Sequence, residues 1–252
     1  MTLILSIFIF LLGMAFGSFF NVCIYRIPAR LSLLPKSHCP NCDALIKPQQ
    51  NIPIFSYIFL KGKCRNCGSK IHWHYFIVEL ITPILFLLLF LKFGFSLLLL
   101  KYLIFISAGI IIFFIDAFHR IIPDIISLPL IAIGLAFSVF PGSDQSLLTS
   151  LLSALFGFLI FLVTGYVFDL ITKRESLGGG DIKLIAAIGA FLGIFGLIFT
   201  IFVASFSALI LLIIIKHDRS NVFPFGPFLI FGATSYIFAG NIIFQTYLNL
   251  FF

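Results

Sequence analysis

The sequence predicts an all-α protein that crosses a membrane several times. Of its 252 residues, 61% are hydrophobic and only 10% are charged, whereas a water-soluble domain carries about 25% charged residues. The apolar residues form long runs separated by short polar segments. Backbone groups in lipid must be satisfied within a helix or a closed barrel, and the alternating pattern of a barrel is absent. We therefore predict helices with membrane lipid as their surroundings.

The lengths of the apolar runs predict about eight transmembrane helices. A crossing needs about 20 residues, so the run Ile182–Ile215 is too long for one span. Glycines loosen a helix, and we therefore place a turn in this run near Gly193–Gly196. The other spans are Thr2–Tyr25, Tyr75–Leu91, Ser96–Ile115, Ile125–Phe140, Leu147–Ile171 and Phe225–Tyr247.

The basic residues lie mostly on one side of this topology. Alternating crossings place 14 of the 16 Lys and Arg residues on the side of residues 26–74, and only Lys92 and Lys101 on the other side. Outside residues 26–74, the basic side carries Arg120, Lys173, Arg174, Lys183, Lys216 and Arg219. Positive residues favour the cytoplasmic side, so this side is predicted to be cytoplasmic. Because the charge follows the topology, the net charge of +7 indicates no nucleic-acid partner.

The sequence divides into three regions around its only sizeable polar segment. No Lys or Arg precedes the first helix (1–25), unlike a secretory signal peptide, so we expect it to remain as an anchor. A cytoplasmic loop follows (26–74), and a membrane domain comes after it (75–252). A loop this short builds a poor core, so a bound metal ion can supply folding energy.

Four of the five cysteines lie in the cytoplasmic loop as two C-x2-C pairs. They are Cys39, Cys42, Cys64 and Cys67. This pattern is typical of a tetrahedral zinc site with four thiolate ligands. Two disulfides are the alternative, which a reducing cytoplasm disfavours. Four thiolates leave no open position for water, so the predicted zinc ion is structural rather than catalytic.

Two aspartates at the cytoplasmic boundary are the candidate catalytic residues. Asp116 ends an apolar run, and Asp181 directly follows Gly178, Gly179 and Gly180. A carboxylate in a membrane helix is costly and is usually kept for a task. If the two carboxyl groups face each other across a wet cleft, they share one proton and can act as acid and base in amide hydrolysis. The glycines can admit an extended substrate strand, although such a run is also typical of a flexible loop.

Asp124 leaves a second arrangement open. It follows Pro123 at the predicted start of a span, where it is either the partner carboxylate or an acid favoured by the helix dipole. We favour the second role, with Asp116 as the catalytic residue. Membrane carboxylates also serve in proton relays, so a proton- or ion-coupled transporter is the alternative function. Inverted repeats, which would favour a transporter, are not visible.

Taken together, the motifs resemble those of the type IV prepilin peptidases, or prepilin leader peptidase/N-methyltransferases. The matching segments are Gly17–Val22, Tyr25–Pro28, the two C-x2-C pairs, Asn51–Ile54, Val78–Leu80, Asp116–Asp124, Gly178–Leu184 and Pro224–Phe228. Their order and spacing are more specific than any single motif. One departure is Phe76, where the family pattern Tyr-Pro-x-Val-Glu has proline.

This resemblance implies an intramembrane aspartyl protease with a G-x-G-D motif, in which Asp116 and Asp181 are the catalytic pair. The supporting positions are Gly178, Gly179, Gly180, Asp124 and Lys183. The implied reaction removes the basic leader of type IV prepilins or pseudopilins, after a Gly, at the cytoplasmic face of the bacterial inner membrane. The resemblance also implies N-methylation of the new amine with S-adenosylmethionine, for which it points to Gly62 and Glu79. A peptidase without methylation is the alternative.

Overall fold

The computed structural model confirms the all-α fold. It describes residues 2–34, 37–47, 51–173, 178–215 and 223–251, and these contain no strand beyond two isolated bridges. The helices are α1 (Thr2–Arg26), α2 (Phe55–Phe59), α3 (Trp73–Phe93), α4 (Leu97–His119), α5 (Asp124–Phe137), α6 (Leu147–Thr172), α7 (Gly179–Ile215) and α8 (Gly226–Phe251). Four basic residues of the predicted topology lie outside the described residues: Lys36, Arg174, Lys216 and Arg219.

Five of the described helices are long and apolar enough to cross a membrane, judged by length and composition. They are α1, α3, α4, α6 and α7. Helix α5 and the segment Gly226–Gly240 of α8 are also apolar but shorter. The protein is therefore a multi-pass membrane protein.

The predicted division of the long apolar run is confirmed, because α7 is not one continuous helix. Gly193 has φ 69° and ψ −174°, a backbone conformation that glycine adopts easily. A Cβ atom on Gly157 of α6 would lie 3.2 Å from the Ile185 carbonyl oxygen and 3.1 Å from Leu197 Cδ2. In a straight helix Ile185 and Leu197 would be about 18 Å apart. The chain therefore reverses its direction at Gly193.

The chain consists of two compact units, Met1–Leu103 and Ile104–Phe252, with the boundary inside α4. In the first unit, α1 and α3 pack closely through glycines. A Cβ atom on Gly13 would lie 2.5 Å from Pro83 Cα, and one on Gly17 would lie 3.1 Å from the Cα of Glu79. Glycines four residues apart on one helix face allow this approach of two membrane helices.

Helix ends of the second unit meet at two levels. At one end, Asp116 near the end of α4 contacts Gly226 at the start of α8. At the other end, the side chain of Gln145, which lies between α5 and α6, donates to the Phe191 carbonyl oxygen at 2.9 Å, beside the turn at Gly193. Alternating crossings place the end of α4 and the start of α8 on one side, and the turn at Gly193 on the other. The start of α7 then lies on the same side as the end of α4.

Candidate active site and metal centre

Asp116 is buried near the end of α4 and is held by the start of α8. Its side chain is 5% exposed. Its Oδ2 atom accepts a hydrogen bond from the Gly226 backbone N–H at 3.0 Å. A carboxylate that accepts a backbone hydrogen bond has a fixed orientation, and such charge-assisted bonds are stronger than neutral ones.

Asp181 lies in the first turn of α7, directly after the three glycines. Its backbone N–H donates to the Gly178 carbonyl oxygen at 3.0 Å. Its carboxyl group is near enough to that of Asp116 for a direct electrostatic interaction. Its Oδ1 atom is buried and has no hydrogen-bond partner among the described residues. A buried polar atom without a partner is costly, so it is a candidate to bind water or a substrate group.

Two glycines bring the backbone close to this carboxylate pair, and Ile122 lies between them. A Cβ atom on Gly226 would lie 2.7 Å from Asp116 Oδ2 and 3.2 Å from Ile122 Cδ1. A Cβ atom on Gly180, the residue before Asp181, would lie 2.8 Å from Ile122 Cβ. Both positions therefore require glycine for space.

Asp124 makes a different contact. Its Oδ1 atom lies 2.7 Å from Lys183 Nζ, and the two side chains are 58% and 33% exposed, respectively. This ion pair joins the first turn of α5 to the start of α7. The carboxyl group that interacts with Asp181 is that of Asp116, while Asp124 is paired with a lysine. The catalytic assignment of Asp116 and Asp181 stays a prediction that this arrangement favours.

The four cysteines of the first unit form a cluster that could hold a metal ion. The Sγ atoms of Cys39, Cys42, Cys64 and Cys67 all lie within 4.8 Å of one another, and all four cysteines are free of disulfides. The Ser69 hydroxyl group lies 3.1 Å from Cys67 Sγ, and hydrogen bonds from Ser69, with a smaller one from Asn41, lower the pKa of the Cys67 thiol to about 6. The thiolate is the form that binds metals, so the hydrogen bonds at Cys67 favour its role as a metal ligand.

Gly62 and Glu79 both make contacts within the first unit. Gly62 has φ 63°, and a Cβ atom there would lie 3.0 Å from the Tyr57 ring. The Glu79 carboxylate accepts hydrogen bonds from the Ile54 backbone N–H, at 2.7 Å, and from the Ser18 hydroxyl group. These contacts explain both residue types within the fold, and they assign no atom to a cofactor.

Comparison with known proteins decides the family. A model of the bacterial peptidase A24 N-terminal domain matches residues 11–93, and a model of the type IV leader peptidase family matches residues 103–213. A prepilin leader peptidase/N-methyltransferase of Neisseria gonorrhoeae is 37% identical over 86% of this chain and 84% of its own length. The chain belongs to the type IV leader peptidase family. This membership favours the peptidase interpretation over a transporter.

Two further relatives match nearly the whole length of this chain. A prepilin leader peptidase/N-methyltransferase of Dichelobacter nodosus is 33% identical over 93% of this chain and 92% of the relative. One from Pseudomonas aeruginosa is 34% identical over 95% of this chain and 92% of the relative. No solved structure matches the chain.

One residue of the candidate active site, Gly226, has no role that the sequence predicts. It lies in the segment Pro224–Phe228, which enters the sequence analysis only through the family resemblance. A glycine followed by proline at the start of an apolar run is a signal for a helix start. The contact with Asp116, 110 residues earlier, is visible only in the folded chain.

Proposed function

We propose that this chain cleaves the leader peptide from type IV prepilins or pseudopilins, with Asp116 and Asp181 as its catalytic pair. The observation that carries the proposal is that Ile122 packs against both Gly226, which binds Asp116, and Gly180, which precedes Asp181, so the two carboxyl groups from separate membrane helices are near enough to interact electrostatically. The relatives are prepilin leader peptidase/N-methyltransferases, which supports the choice of substrate. The buried Asp181 Oδ1 atom leaves an acceptor for water or the substrate.

The reaction needs one ionised and one protonated carboxyl group. The ionised group removes a proton from water, and the water oxygen attacks the carbonyl carbon of the scissile bond. The protonated group donates its proton to the carbonyl oxygen. The carbon–nitrogen bond then breaks, and the leaving amine takes up a proton from the pair. Two carboxyl groups close together can carry both roles. Repulsion between two negative charges disfavours ionisation of both groups, so one of them stays protonated.

Purified full-length protein and a prepilin substrate test this assignment. Asp116→Asn and Asp181→Asn should each abolish cleavage, because an amide neither accepts nor donates the required proton. Asp144→Asn is the matched control, since Asp144 lies between α5 and α6, at the other end of the second unit. The products can be separated by size on a gel.

The Asp124→Asn variant distinguishes the two arrangements left open by the sequence. It should still cleave the prepilin, since Asp124 pairs with Lys183 rather than with Asp181. Full cleavage by the Asp116→Asn variant would contradict the proposal, and loss of cleavage only in Asp124→Asn would move the role to Asp124.

The proposed orientation places the cysteine cluster and both aspartates on the cytoplasmic side of the inner membrane. The support is the sorting of basic residues, of which 14 of 16 share this side in the eight-span topology. A prepilin with a basic leader would present its cleavage site on the same side. Labelling single-cysteine variants with an impermeant thiol reagent in intact cells tests this orientation, since cytoplasmic positions should stay unlabelled.

For the cysteine cluster we propose a structural zinc ion. Four thiolates at about 2.3 Å from a tetrahedral zinc ion lie about 3.8 Å apart, and the Cys39 and Cys67 sulfurs are 3.9 Å apart. The donor set therefore fits zinc, which would contribute folding energy to a small module. Zinc content of the purified protein should be about one per chain and should fall in the Cys39→Ser and Cys64→Ser variants. Unchanged metal content in both variants would contradict this site.

Methylation of the new N-terminal amine is the second proposed activity, and it is supported by the relatives, which are prepilin leader peptidase/N-methyltransferases. S-adenosylmethionine would supply the methyl group. Mass spectrometry of the cleaved product, with and without this cofactor, tests the activity separately from cleavage. A product that never gains a methyl group would leave a peptidase without methyltransferase activity.

A further inference from the structure

A set of exposed apolar side chains in the first unit takes no part in the proposed active site. These side chains form the α2 face, which consists of Ile52, Phe55, Ile58 and Phe59. Phe59 is 79% exposed, and no residue of α2 is buried. Large apolar side chains grouped on a surface mark a contact with a partner or a membrane.

Contacts with α3 fix the position of this face. The Ile54 backbone N–H and the Ser18 hydroxyl group both donate to the Glu79 carboxylate. Ile54 has φ 67° and ψ −55°, a conformation that β-branched residues rarely adopt, directly before α2. On the other side of the helix, Tyr57 packs on Phe76 of α3 with ring centroids 5.2 Å apart. Helix α2 therefore lies beside the first turns of α3.

The length of α3 sets the depth of these contacts. Its 21 residues span about 31 Å, which just matches a hydrocarbon core of about 30 Å. Glu79 lies about 9 Å from the start of α3, and the remaining part, about 21 Å long, is too short to cross the core. The first turns of α3 must therefore lie in the bilayer, and α2 lies beside them. Trp73 at the start of α3 is 57% exposed, as is typical of a residue at the membrane interface.

Basic residues directly follow the α2 face. Lys61 and Lys63 are both exposed, and residues 27–72 contain seven Lys and Arg residues but a single acidic residue, Asp43. Exposed apolar side chains next to lysines are typical of helices that lie in the interface of a bilayer with anionic lipids. A soluble partner protein would not explain the depth of this face along α3.

We propose that the α2 face is embedded in the interfacial layer of the bilayer, with Lys61 and Lys63 at the anionic headgroups. The loop between α1 and α3 then returns to the membrane instead of standing free in water. The lipid anchors the loop beside the cysteine cluster, of which one C-x2-C pair precedes α2 and the other follows it along the chain. This inference depends on the membrane crossings of α1 and α3 and not on the proposed peptidase activity.

Tryptophan fluorescence of the full chain in liposomes tests this inference. Trp73 is the only tryptophan, so the Trp73→Phe variant has no tryptophan fluorescence. Adding Phe59→Trp to this variant places a single fluorescent residue on the α2 face. The liposomes contain phosphatidylglycerol and a phosphatidylcholine brominated near the carbonyl end of its acyl chains. The matched control is Arg65→Trp, an exposed position between Cys64 and Cys67 of the cysteine cluster.

Phe59→Trp should lose more fluorescence to the brominated lipid than Arg65→Trp, and less to aqueous iodide. Equal iodide quenching at the two positions would overturn the inference, because it would place the α2 face in water. Protection of Phe59→Trp from both quenchers would also overturn it, because a second copy of the chain or another protein would then cover the face.

Discussion

Replacing Gly226 by alanine should impair catalysis by displacing Asp116. The new Cβ atom would lie 2.7 Å from Asp116 Oδ2 and 3.2 Å from its Cγ atom. An ordinary contact begins at 3.4 Å, so the carboxyl group or the start of α8 must move by about 0.7 Å. The same carboxyl group accepts a hydrogen bond from Gly226, and the shift weakens it. A misplacement of about 1 Å can cost about 10²-fold in rate, so we expect kcat to fall roughly 10- to 100-fold.

Initial rates of prepilin cleavage over a range of substrate concentrations measure this effect. A change confined to the transition state lowers kcat and kcat/KM together and leaves KM unchanged. Gly109→Ala is the control, because Gly109 lies on α4 as Asp116 does and a Cβ atom there meets only the side chain of Ile230, at 3.2 Å. A Gly226→Ala protein with normal thermal stability and a normal kcat would refute the placement of Asp116 Oδ2 in the reacting pair.

Two further predictions concern the neighbours of the aspartates. Gly180→Ala should lower kcat more than Gly179→Ala. A Cβ atom on Gly180 would lie 2.8 Å from Ile122 Cβ, whereas one on Gly179 meets no atom within 4 Å. Cleavage rates of the two variants measure this difference. Lys183→Met removes the partly exposed ion pair with Asp124, and such pairs contribute about 0–1 kcal/mol, so the thermal midpoint should change by only a few degrees. A larger loss of stability would show that this pair is important for joining α5 to α7.

The crossings of the chain were predictable because they depend on local properties. Apolar run length against bilayer thickness gave the spans, and the turn near Gly193 followed from glycines in a run too long for one crossing. The cysteine spacing indicated the four residues that lie together in the fold. A C-x2-C pair is a local motif, and two such pairs can complete a metal site with few long-range requirements.

The contacts around the carboxylates could not be predicted in the same way. From the sequence, Asp116 and Asp124 are alternative neighbours of Asp181, since the end of one span and the start of the next lie on the same side of the membrane. Which one points towards Asp181 depends on the rotation of α4 and α5 about their axes. Those rotations are set by side-chain packing, for which the sequence has no local signal.

The sequence alone predicts the all-helical membrane fold, the uneven distribution of basic residues and the cluster of four cysteines. Each of these depends on neighbouring residues or on hydropathy against a bilayer of known thickness. Only the tertiary structure decided that Gly226 holds Asp116, that Lys183 holds Asp124 and that Glu79 holds the turn before α2. These contacts join residues 25 to 110 positions apart. Their distances are fixed by helix register and close packing, which exist only after the segments have assembled.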